Sequence, residues 1–80
     1  MAMKEVKAKL VSYLSGYLFS REQAEDLASV ILGHPEWDVQ DLSQAVYQSV
    51  FHYKMTRLDV IAKYISKSIT PHIARILGVK

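Results

Sequence analysis

The sequence predicts an all-α protein, a compact single domain spanning residues 1–80 and built from about five short helices. Three observations carry that prediction: apolar residues recur at three- and four-residue steps, helix start and stop signals fall between those stripes, and strand-like alternation is missing throughout. The chain also lacks internal repeats and low-complexity linkers.

The first stripe is Met3, Val6, Leu10, Tyr13, Leu14, Tyr17 and Leu18, one apolar face of a helix. Ser20 then offers an N-cap with Gln23 three residues on, the spacing of a capping box. Ala24, Leu27, Ala28 and Ile31 continue as a second helix until Gly33 stops it. After His34-Pro35, Asp38 is placed to cap a third helix. Trp37 and Leu42 flank that cap in the register of a hydrophobic staple, and Leu42, Val46, Ser49, Val50 and Tyr53 carry the helix forward.

A fourth helix is expected from Thr56, with Asp59 as capping partner and Met55 and Val60 in staple positions. Leu58, Ile61, Ala62 and Ile65 form its stripe. Ser66, Lys67 and Ser68 then read as a join. Thr70 reads as the N-cap of a fifth helix, Pro71 occupies its first position, Ile73, Ile76 and Leu77 bury it, and Gly78 ends it.

Composition narrows the class. Eighty residues is one domain near the lower size limit for a self-sufficient core, and half of the residues are hydrophobic, which suits a packed fold. Without cysteine there is no disulfide, thiolate metal site or cysteine nucleophile, and an intracellular, cytoplasmic protein is the simplest expectation. Apolar runs are interrupted by polar residues every few positions, so no membrane span is expected. Lys4, Glu5, Lys7 and Lys9 punctuate the start in a way an export signal would not.

Charge is distributed unevenly. Residues 1–51 hold four Lys/Arg against seven Asp/Glu, a net of −3, and residues 52–80 hold six against one, a net of +5. A basic half on a small domain fits an anionic partner or a solubilising surface.

Catalytic chemistry finds no motif. His34, His52 and His72 lie on three different elements without acidic neighbours at metal-binding spacings, so no metal is expected. Glu22, Glu25 and Asp26 sit early in the second helix, where negative charge complements the helix dipole. Three isolated glycines make no phosphate loop, and no cofactor is expected. The five tyrosines are many amphipathic rings for a small body. They offer an assembly surface for a protein partner or a homodimer, or else they rim the core.

Ile61-Ala62-Lys63-Tyr64-Ile65-Ser66-Lys67-Ser68, followed by Ile73-Ala74-Arg75-Ile76-Leu77, resembles the helix-turn-helix of DNA-binding regulators, a likeness covering residues 58–77, about a quarter of the chain. The resemblance implies packing roles for Ala62, Ile69 and Ile73. It implies that Ser68, Thr70, His72 and Arg75 face the nucleic acid, with Arg75 the base reader, and that Lys63 and Lys67 lie near phosphates. A C-terminal helix that closes the bundle, its lysines on a solvated face, accounts for the same pattern. The expectation is therefore a non-enzymatic binding protein whose partner is DNA, with a protein-interaction module using the aromatic surface as the competing reading.

Overall fold

A computed structural model describes residues 3–17, 19–53 and 59–79 and shows an all-helical chain. Among the described residues four helices follow in order, α1 Met3–Tyr17, α2 Arg21–Leu32, α3 Val39–Tyr53 and α4 Asp59–Leu77. They fall into two compact units, residues 1–35 and 36–80.

In the first unit, α1 and α2 pack on each other. Leu10, Val11 and Leu14 of α1 are buried, as are Ala24, Leu27, Ala28 and Ile31 of α2. Each large aliphatic contributes about 1.5–3 kcal/mol of transfer free energy. Val11 rather than Tyr17 completes the α1 face, and Tyr17 is 61% exposed. The entry to α2 is fixed by the capping box read from the sequence. The Gln23 N–H donates to Ser20 Oγ (3.2 Å) and the Ser20 N–H donates to Gln23 Oε1 (3.1 Å). Phe19, buried just before that cap, also ties its N–H to the Leu14 carbonyl at 3.0 Å. Gly33 caps α2 at its C-terminus, its N–H reaching the Ser29 carbonyl at 3.0 Å.

In the second unit, α3 packs on α4. Asp38 caps α3 as expected: the Asp41 N–H donates to Asp38 Oδ1 at 2.9 Å. Asp41 Oδ2 in turn accepts from the Asp38 N–H at 3.3 Å, a reciprocal box built from two aspartates. Leu42, Val46 and Val50 bury one face of α3, while Tyr47 and Phe51 meet edge to face with ring centroids 4.8 Å apart. The start signal at Met55 and Thr56 lies outside the described residues.

The expected break between a fourth and a fifth helix does not occur. Asp59–Leu77 is one helix of 19 residues with Pro71 inside it. The two-helix arrangement implied for residues 58–77 is therefore replaced by a continuous rod. The residues read as a join are its buried centre: Ser66 and Thr70 are each 2% exposed, and Ile69 and Ile73 beside them are fully enclosed. Proline within a helix costs about 3 kcal/mol through a lost hydrogen bond and a ring clash. Pro71 lies on the exposed side of the helix, where water can serve the carbonyl that a proline cannot.

Close approach of α3 follows from a row of small residues at four-residue steps, Ala62, Ser66, Thr70 and Ala74, all buried. Ser66 Oγ donates to the Ser43 carbonyl at 2.7 Å, which uses its one proton. The 2.8 Å contact between the two hydroxyls must then have Ser43 as donor. Gly78 closes α4 with φ +78°, a left-handed conformation suited to glycine. The Val79 N–H returns to the Ala74 carbonyl at 2.9 Å and the Gly78 N–H to the Arg75 carbonyl at 3.2 Å, the double bond of a Schellman end.

Candidate functional site

The continuous α4 arranges the residues expected to meet nucleic acid in a definite way. At about 100° per residue, Lys63 and Lys67 lie one turn apart on the same flank, and both are exposed. Arg75 is exposed two turns further on. His72 is exposed but stands nine residues from Lys63, about 180° around the helix, so one flat surface does not engage both. Ser68 is half-buried. Thr70 is the correction: at 2% exposure it points into the unit and faces no partner. Its Oγ1 finds no hydrogen-bond partner among the described residues, so it does not cap a helix either.

Lys63 and Lys67 share an open cleft of about 140 Å³ with Ser43, Gln44, Tyr47 and Ser66. The serine protons are committed to each other and to the Ser43 carbonyl. Besides the two serines, the cleft is lined by two lysines, Gln44 and Tyr47. Every one of its six lining residues is neutral or cationic. That donor set suits an oxyanion: lysine supplies three mobile donors on a point charge, and amide and phenol supply directed ones. Ser43, Gln44 and Tyr47 come from α3 and carry no local signal of a site. They reach the lysines only through the register that the Ser43–Ser66 hydrogen bonds set between α3 and α4.

Beside these polar residues, α4 also exposes large apolar side chains. Val60 is 79% exposed, Tyr64 71% and Ile61 42%. Of the other tyrosines, Tyr13, Tyr47 and Tyr53 are half-buried. Tyr13 stacks on Tyr17 with centroids 6.1 Å apart and planes at 18°. Burial, and secondarily the neighbouring Tyr17 phenol, push the Tyr13 hydroxyl above its ordinary pKa of 10.0.

The first unit holds a larger groove, of about 410 Å³, between α1 and α2, lined by Lys4, Lys7 and Arg21 among others. Sequence reasoning passed over it because the first 51 residues are acidic in total. Among the described residues, no helix is long and apolar enough to cross a membrane, and no three His, Asp or Glu side chains gather as a metal site requires.

No family model matches this chain, and neither a curated protein nor a solved structure is significantly similar to it.

Proposed function

We propose that this protein is a non-enzymatic nucleic-acid-binding protein that grips the phosphate backbone with the α3–α4 cleft. The observation that carries the reading is the convergence of Lys63 and Lys67 with the Gln44 and Tyr47 donors on a cleft without an acidic lining residue. Arg75, exposed on the same helix, supplies a further cation for phosphate or a base edge. Exposed Tyr64 adds a ring on which an unpaired base can stack, worth about 1–3 kcal/mol per base.

The test is anisotropy titration of a labelled duplex and a labelled single strand across salt concentrations. Binding should weaken linearly on a log–log plot. Lys63→Gln with Lys67→Gln should lower the slope by about 1.4–1.8, since each phosphate contact contributes about 0.7–0.9. Absence of wild-type binding at low salt would refute the reading.

A second reading rests on the apolar surface of Val60, Ile61 and Tyr64, which suits a protein partner, a second copy of the chain included. The two part on mutation. Tyr64→Ala should then abolish association measured by sedimentation, while Lys63→Gln with Lys67→Gln leaves it intact.

A further inference from the structure

Residues 1–51 contain only four cations, Lys4, Lys7, Lys9 and Arg21, against seven acids. Three of the four, Lys4, Lys7 and Arg21, line one α1–α2 groove. Lys4, Lys7, Val11 and Ser15 recur at three- and four-residue steps along one side of α1, and Arg21 enters from the first turn of α2. Lys9, out of that register, does not line the groove. Glu22 and Asp26 are exposed on α2 and do not line it either. The acidic sum of this half thus conceals a surface on which positive charge is concentrated.

We infer that this groove is itself a seat for a phosphodiester chain; the inference rests on the reading of this chain as a nucleic-acid binder. Three features select an extended polyanion. First, Lys4 to Ser15 spans eleven residues, about 16 Å of helix, which matches the axial run of some four to five phosphates of one strand at about 3.4 Å each. Second, the 410 Å³ of the groove far exceeds what a lone inorganic anion fills. Third, its floor of Ala8 and Val11 is short and apolar, with hydroxyls of Ser12 and Ser15 beside it, a surface against which sugars lie without burying unpaired charge.

Glu25 is the one acid in the groove. Its Oε1 stands 3.5 Å from Arg21 Nε, in an ion pair whose side chains are 79% (Arg21) and 51% (Glu25) exposed. A pair so exposed is held weakly. A phosphate entering the groove takes over Arg21 and meets repulsion from the Glu25 carboxylate. Removing that carboxylate should therefore strengthen binding, an effect opposite in sign to loss of the cations.

The experiment uses the full chain, the labelled duplex and single strand, and two variants whose helicity is checked by circular dichroism. Lys4→Gln/Lys7→Gln/Arg21→Gln should weaken binding by about fivefold to eightfold per lost contact at 0.1 M salt and reduce the salt slope by about 2–3. Glu25→Gln should tighten it severalfold. If both variants match wild type while Lys63→Gln with Lys67→Gln loses affinity, the groove proposal is overturned and the α4 reading survives. If the groove variants change binding as stated and the α4 variant does not, the groove stands and the α4 reading falls. Failure of the wild-type chain to bind either probe at low salt overturns both.

Discussion

Thr70→Val separates a continuous α4 from two helices joined at residue 70, because the two arrangements predict opposite signs. In the continuous helix, Thr70 is 2% exposed and its hydroxyl has no partner among the described residues. An unsatisfied buried hydroxyl costs about 1–3 kcal/mol. Valine has nearly the same shape and the same branching at Cβ, so the change removes that cost while leaving helix propensity almost unaltered. Added burial of a methyl group contributes up to about 0.8 kcal/mol more. The expected result is a gain of about 1–2 kcal/mol. In a chain of 80 residues each kcal/mol raises the thermal midpoint by about 4–8 °C. Urea denaturation followed by circular dichroism should show a higher midpoint at unchanged slope. Were Thr70 instead the N-cap of a separate helix, the same substitution would cost about 1 kcal/mol. A loss of that size would refute the continuous helix and the inward-facing Thr70.

Other perturbations probe neighbouring features. Pro71→Ala, within a helix, should raise thermal stability by about 1–3 kcal/mol, whereas at a first helical position it would do almost nothing. Ser66→Leu should cost about 2–4 kcal/mol in urea unfolding, because it forces α3 and α4 apart and strips Ser43 of its interhelical hydrogen bonds. Tyr13, whose pKa is raised in the folded chain, ionises first in the unfolded chain. Its contribution to stability is therefore complete below pH 10.0 and is lost as pH rises beyond it, so Tyr13→Phe should flatten the alkaline limb of the stability profile.

The parts of the fold legible in the sequence are those specified locally. The Ser20–Gln23 box, the Asp38 cap and the glycines after α2 and α4 are short-range signals, and each appears where the residues place it. The stripe of α2 is likewise reproduced residue for residue in Ala24, Leu27, Ala28 and Ile31. Thr70-Pro71 is an equally local signal and misleads: α4 runs straight through it, with Thr70 buried between Ile69 and Ile73. Ser66 looked like a linker residue for the same reason: its partner is Ser43, 23 positions away, and no short-range pattern announces such a pairing.

The candidate site divides along the same line. Lys63 and Lys67 are visible as a one-turn repeat in a basic segment, while Gln44 and Tyr47 join them only through the register of two helices. Lys4, Lys7 and Arg21 converge across the α1–α2 turn, and averaging charge over half the chain hides them behind acids on the exposed side of α2.

The most direct measurement is amide-resolved NMR of the labelled chain titrated with an unlabelled oligonucleotide at low and then high salt. Nucleic-acid binding through these surfaces predicts progressive shifts at Gln44, Tyr47, Lys63 and Lys67, with a second set at Lys4, Lys7 and Arg21, all reversed by added salt. Resonances of Lys63 and Lys67 that stay in place at saturating oligonucleotide and low salt would contradict it.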